Sequence, residues 1–246
     1  MRCGLIHNPD PRLPRIGTAL SRLVTPPACD WHTGHVDVDG DPLGNDDHSN
    51  CVPCGALRRL QAARSVAGDQ RKPTTIQALY LYRDWSGWDG TAATDIGTDS
   101  GLAATLWARN GIQWGWQWED VPIIGVLDPT NSAHLKAAIA FLGPIQLDLA
   151  LPTAWEGKTL WDVVSDADGG LPGSLGNHRV CAGRYDADHL YVVTWGIEVR
   201  ITWRALPVYA LNAEATVSRS WLDTSGLSPA GLDMAALVRE MCVLSV

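Results

Sequence analysis

Long hydrophobic runs are missing from this chain. No stretch of 18 or more apolar residues occurs, so no membrane span is expected. Positive charge is also scarce: Lys and Arg number 19 against 27 Asp and Glu, a formal net charge of −8. Phosphate binding needs clustered cations, so a general nucleic-acid binder is excluded. The N-terminal MRCGLIHNPDPRLPRIG is broken by Pro and Arg and lacks an apolar segment, so it does not read as a secretory signal. The six cysteines are therefore expected as free thiols rather than a disulfide framework. Repeats and low-complexity segments are absent. Phenylalanine is nearly so, one residue against 12 Trp, a ratio with no physical account.

What is present, 246 residues of which 46% are hydrophobic, suffices for one full-sized core or two packed lobes. Residues 1–29 carry prolines at 9, 11, 14, 26 and 27 and read as an extended arm with one short amphipathic piece, Ile16–Val24, lying across another surface, either of this fold or of a partner. Helical spacing follows over Asn50–Val66, Thr75–Tyr82 and Asp99–Asn110, the last capped by Asp99 or Ser100 and stopped by Gly111. The period then changes. Val121–Leu127 reads as a buried strand, Ser132–Phe141 as a helix with a Ser N-cap, and the alternating Ile145–Leu151 as a half-buried strand. Val180–Tyr185, His189–Thr194 and Glu198–Trp203 read as three further strands, and Gly231–Cys242 as a C-terminal amphipathic helix. Helices first and mostly strands later is an α+β order.

Two segments carry candidate chemistry. In the run from Asp30 to Ala56, Cys51 stands where the first of these helices begins. Free backbone N–H groups and the positive end of the helix dipole stabilise a thiolate at such a position. In GNHRVCAGRYDADHLYVVTWG, residues 176–196, His178 enters an apolar strand and Trp195-Gly196 closes the next one.

The order of these residues resembles the papain-like cysteine peptidases. That family starts its mature domain with Pro, then Asp-Trp, a Gly-x-Val step, a glutamine, and the catalytic cysteine six positions later. This chain has Pro27, Asp30-Trp31, Gly34-His35-Val36, and then Asn45 six positions before Cys51. Gly143-Pro144, the pair His178 and Tyr185, and Trp195-Gly196 continue the likeness over residues 26–205. The resemblance implies a papain-like fold, Cys51 as nucleophile, His178 as base, and the Asn45 amide with a backbone N–H as oxyanion donors. If Cys54 were the nucleophile, the oxyanion position would fall on His48, so Asn45 favours Cys51. One departure matters: the family's orienting asparagine falls on Val193, which cannot hold an imidazole. No inhibitory pro-segment is recognisable either.

The chain is also similar to uncharacterised proteins of tailed bacteriophages. They share Leu43-Gly44-Asn45-Asp46 with Asn50-Cys51, the run Tyr185-Asp186 to Val192-Val193-Thr194-Trp195-Gly196, and Trp221-Leu222 with Ser228-Pro229-Ala230-Gly231-Leu232-Asp233. Ser49 replaces their usual glycine. This likeness implies a virion component, built on a papain-like scaffold with a degenerate or weak site. Its partners would be capsid or tail subunits, gripped by the arm or by the C-terminal helical extension that follows the domain at 30–210. The alternative is an active thiol peptidase or amidase, a Cys51–His178 dyad acting on phage proteins or host peptidoglycan peptides.

Rival chemistries use the same residues. Cys51-Val52-Pro53-Cys54 matches a redox dithiol spacing, but no βαβ context precedes it. A zinc site would need two further ligands from His48, Cys29, His35 or Cys181. The acidic run Asp37–Asp47 lacks the order of a calcium loop. No cofactor and no metal are expected. The cluster Trp114-Gly115-Trp116-Gln117-Trp118 reads either as a carbohydrate or peptide platform or as a loop packed over the core or in a protein–protein contact.

Overall fold

The computed structural model describes residues 1–120 and 123–244, with side chains for all of these except 123 and 240–244. The arm supplies β1 (Leu5–Ile6) and α1 (Gly17–Leu20), and β2 (Cys29–Asp30) follows. The helical half comprises α2 (Cys51–Val66), α3 (Thr75–Ser86) and α4 (Ser100–Asn110), with β3 (Thr98–Asp99) leading into α4. A short hairpin, β4 (Ile112–Trp114) and β5 (Gln117–Glu119), closes this half. Then come β6 (Ile123–Leu127), α5 (Ser132–Leu142), β7 (Ile145–Leu151), β8 (Leu160–Trp161), β9 (Gly176–Tyr185), β10 (His189–Thr194) and β11 (Ile197–Thr202). The short α6 (Leu206–Tyr209), β12 (Ala210–Val217) and α7 (Met234–Leu244) complete the chain.

Helix boundaries follow local chemistry. Thr74 caps α3 by accepting from Gln77 N–H, and Asp99 caps α4 by accepting from Leu102 N–H. For α5 the cap is Asn131, not Ser132: its side chain accepts from the Ala133 and His134 N–H groups. Asn can satisfy two orphan donors there because its carbonyl has two lone pairs. Gly87, Gly111 and Gly143 terminate α3, α4 and α5.

Eight strands form one sheet in the order β6-β12-β7-β9-β10-β11-β8, with β2 on β9. All pairings in it are antiparallel except β8 with β11. The largest core cluster joins Leu147, Leu149 and Leu151 of β7 to Val180, Val192, Val199 and Ile201 of its neighbours. A second cluster, with Leu57, Leu60, Trp85 and Trp107, fills the helical half.

Between these cores lies α2, buried on nearly every side. Its two most buried arginines are hydrogen-bonded, although Arg59 Nη1 has no partner among the described residues. Arg59 donates to the carbonyls of Thr216 and Leu142, and Arg58 to Gln61 Oε1 and the Asp41 carbonyl.

Three sequence expectations shift. Strand β7 alternates in sequence yet is buried throughout, because Gln146 and Asp148 meet Arg179 in the interior. Strand β12 was not predicted; it lies inside the sheet between β6 and β7, so residues 210–217 belong to the main domain. Its polar Asn212 and Glu214 are buried with that same arginine, which hides the strand's hydrophobic alternation. The arm packs against its own domain, with Leu5, Ile16, Ala19 and Leu20 in the two cores.

Candidate active site

The site is built where the first turn of α2 meets β9. Cys51 is the first residue of α2, after Asn50, whose side chain makes no capping bond and donates instead to the Leu43 carbonyl. A helix start leaves its first backbone N–H groups without intrahelical acceptors. Pro53 carries no N–H and Cys54 N–H bonds the Asn50 carbonyl, which leaves those of Cys51 and Val52 at this helix start. On the opposite wall, the backbone N–H of Arg179, next to His178 on β9, lies near enough to the Cys51 sulfur to pull its pKa down. Cys51 and His178 are thus on one interface, with 1% and 0% exposure.

The imidazole is held on two sides. Thr194 Oγ1 lies 2.6 Å from His178 Nε2. The Trp195 ring stacks on His178 at 4.3 Å with an interplanar angle of 19°. That stack depends on the β10–β11 hairpin, whose two loop residues, Trp195 and Gly196, have φ of 48° and 76°. Positive φ at both positions is what a two-residue hairpin of the I′ kind requires, and it is a strained conformation for tryptophan. A Cβ on Gly196 would stand 2.2 Å from the Gly40 carbonyl oxygen, so only glycine fits there.

Asn45 sits on a second strained turn, Leu43-Gly44, with φ of 59° and 79°. Its side-chain Nδ2 donates to the His48 carbonyl at 3.0 Å and to the Arg2 carbonyl at 3.3 Å. The second of these bonds shows what fills the cleft. Residues 2–5 of the arm run through it: Arg2 N–H donates to the Asn45 carbonyl, and Trp195 Nε1 donates to the Arg2 carbonyl. The Gly4 N–H lies near enough to the Cys51 sulfur to pull its pKa down, and Thr98 N–H donates to the Gly4 carbonyl. Strand β1 then continues beside β3 in parallel. Glycines carve this seat. A Cβ at Gly4 would lie 2.0 Å from Ser49 O, one at Gly97 2.3 Å from Gly4 O, and one at Gly176 2.9 Å from Cys3 Cβ. The void left between Asn45, Cys54, Arg179 and Trp195 is about 10 Å³.

Burial sets the electrostatics. It pushes the Cys51 thiol up to about 12, against the pull of the Arg179 and Gly4 N–H groups. It pushes His178 down to about 3. At neutral pH the closed site therefore holds a thiol and a neutral imidazole. His178 Nδ1 is buried with no hydrogen-bond partner among the described residues. Beneath them Arg179 bridges three strands, bidentate to Asp148 on β7 at 2.5 and 2.8 Å and 3.0 Å from Glu214 on β12.

Cys51 and His178 stand on the facing elements α2 and β9 with no hydrogen bond between them, and Asn45 on the turn before α2 donates to the His48 and Arg2 carbonyls. Val193 does not join them; it packs with Val36 and Ala62. Thr194 and the arm residues were missed. The only available signal for Thr194 was its hydroxyl beside the Trp-Gly turn. Cys54 is buried, with its thiol 3.6 Å from the Leu43 carbonyl, and burial raises its pKa well above the ordinary value. The four zinc candidates are dispersed: His48 faces Asp95, His35 faces Ser65, and Cys29 and Cys181 lie at different places along the β2–β9 region. Among the described residues no group of three or more His, Cys, Asp or Glu could hold a metal.

No protein-family model matches the sequence, and no curated protein is similar to it. Solved structures are. Xylellain, a cysteine protease from Xylella fastidiosa, superposes with a TM-score of 0.62 at 15% identity, over 87% of this chain and 95% of that one. ProCathepsin B S9 from Trypanosoma congolense gives 0.63 at 11% identity, over 89% and 86%. The Carica candamarcensis cysteine protease CMS1MS2 gives 0.56 at 14%, over 78% and 98%. The chain therefore has the papain-like cysteine protease fold.

Proposed function

We infer that the protein is a thiol hydrolase of papain type, acting on peptide or related amide bonds and held latent by its own N-terminal arm. One observation carries this reading: an extended backbone, residues 2–5, already lies in the cleft on Asn45, Trp195 and Cys51, as a bound peptide would. ProCathepsin B S9, one of the similar structures, is by its name a proform.

With the arm displaced, water reaches the cleft and the burial that suppresses ionisation is relieved. A hydrogen on Nε2 directed to Thr194 leaves the Nδ1 lone pair free to take the Cys51 proton. The thiolate attacks the substrate carbonyl carbon, and the oxyanion falls to the Cys51 N–H and Asn45 Nδ2. The imidazolium protonates the leaving amine, and water then cleaves the thioester. Thr194 and Trp195 replace the missing asparagine in holding the ring.

The test is Gly4→Val, whose side chain cannot coexist with Ser49 O. Hydrolysis of a fluorogenic peptide library by this variant, abolished by Cys51→Ser, supports the reading. Silence across the library in both Gly4→Val and a variant lacking residues 1–6 would refute it.

A second reading has its own support. The orienting position is Val193, turned into an apolar cluster, and the closed pair is uncharged. On these grounds the scaffold is catalytically silent and the protein serves as a component of an assembly such as a virion. Incorporation of the protein into purified particles, with no thiolate formed after arm displacement, is the outcome that reading requires.

A further inference from the structure

A second concavity lies on the outer side of α3, away from the cleft. Its volume is about 990 Å³. Leu81 and Trp85 of α3, Leu106 of α4, and Ile112 and Trp114 of the hairpin form its floor, and Ile76, Tyr80 and Trp118 stand at its rim. The rim residues are 68%, 65% and 63% exposed, although each is large and apolar. Contiguous apolar surface of this kind marks an interaction site. Ile76 and Tyr80, four residues apart, share one helix face.

We propose that this groove docks a basic amphipathic α-helix of a partner protein. Its shape and its chemistry select that occupant. An extended strand cannot add to the hairpin at the groove wall, because Gln77 Nε2 takes the Gln113 carbonyl and Gln113 Nε2 takes the Gly115 carbonyl. Those same bonds commit the Gln77 and Gln113 amides and leave only the Asn110 amide of the lining for sugar hydroxyls, while the mixed aliphatic and aromatic floor suits Leu or Ile anchors. Anionic ligands find no free cation at the groove: Arg71 is held by Asp69, and Lys72 lies 3.1 Å from Asp37.

The charge left over is Asp84, which has no ion pair or hydrogen bond among the described residues. A lysine, an arginine or the N-terminal end of a helix complements it, in keeping with the protein's net charge of −8. Residues 74–84 line the groove over about 15 Å of helix, room for an i, i+3/i+4, i+7 set of anchors. Trp116, 97% exposed at the hairpin tip, extends the apolar surface beyond the rim.

The probe is a synthetic Leu/Lys amphipathic helix of roughly four turns, titrated into the full-length protein by calorimetry. Controls are a scrambled peptide of the same composition and a Leu/Glu twin. Saturable binding of the Leu/Lys helix alone is expected. It should weaken at least about tenfold in Ile76→Glu and Tyr80→Glu, as for anchors of an interface, and also in Asp84→Lys. If an apolar-to-Glu variant fails to fold, Asp84→Lys decides, since an exposed charge change leaves the fold intact. Equal binding of the scrambled peptide would overturn the proposal. So would unchanged affinity in Asp84→Lys, or saturable binding of chitohexaose with none of the peptide.

Discussion

The molecule has two concave surfaces, and they are opposites. The cleft at α2 and β9 holds a thiol, an imidazole and a side-chain amide against residues 2–5 of the chain itself, and the void beside Asn45, Cys54, Arg179 and Trp195 is only about 10 Å³. The groove on α3 has no reactive group, holds about 990 Å³, and is covered by nothing in the structure. Reactive chemistry is kept dry and uncharged by a segment that glycines allow to approach within contact of backbone. Apolar surface is left open where no chemistry is at stake. The difference teaches that occupancy, rather than residue identity, decides what this cleft does at rest.

The largest break in that picture should come from beneath the cleft. Arg179→Met would leave Asp148 and Glu214 buried without a counter-charge, a change that costs about 3–5 kcal/mol in comparable buried pairs. Urea unfolding should show it as a lower midpoint at similar slope; a midpoint unchanged would mean that the network contributes little. Nearly as large is Trp155→Ala, expected to cost about 3–5 kcal/mol. Trp155 is 3% exposed and stacks on Trp161 at 4.9 Å.

Next is Thr194→Val in the arm-displaced protein. Losing one buried hydrogen bond to the catalytic ring is worth about 1–3 kcal/mol, so turnover should fall roughly 5- to 150-fold. Thr194→Ser should restore most of it, and the nitrogen NMR shifts of His178 should report a changed tautomer only in the valine variant. Identical shifts in both would remove Thr194 from its role.

Acid and base should sharpen the comparison in a smaller way. The His178 pKa is lowered on folding, from an ordinary 6.5 to about 3, so its contribution to stability is present above pH 6.5 and lost as pH falls toward 3. The Cys51 pKa is raised, from 9.0 to about 12, so its contribution is present below pH 9 and lost as pH rises toward 12. Melting temperature against pH should therefore depend less on these windows in Gly4→Val than in the parent chain. At the far end, Trp118→Ala should alter stability by no more than about 0.5 kcal/mol, since its ring is exposed at the groove rim.

Much of the cleft was legible in the sequence because its geometry is local. The spacing from Asn45 to Cys51 fixes a turn and a helix start, His178 sits on β9, and Trp195 sits on the turn that ends β10. Strand β12 was not legible, because its buried polar residues answer Arg179, a partner 35 positions away in the case of Glu214. Nor was the arm. Its five prolines, including Pro9 and Pro11, disguise a segment held both by apolar side chains, Leu5, Ile16, Ala19 and Leu20, and by backbone groups at Arg2 and Gly4. Val193 was read correctly as unable to orient the imidazole, but the neighbouring hydroxyl supplies the contact. A one-residue shift along a strand is invisible to motif spacing.

The central claim is that the arm keeps the Cys51–His178 pair from ionising. Iodoacetamide labelling of Cys51 near pH 6.5, followed by peptide mass mapping, tests it most directly. The arm's hydrogen bonds and the burial of Leu5 amount to about 3 kcal/mol, so Gly4→Val should label roughly 100-fold faster than the parent chain, and His178→Ala in that background should abolish the gain. Equal labelling of the parent chain and Gly4→Val would contradict the account, as would a fast reaction that survives the loss of His178.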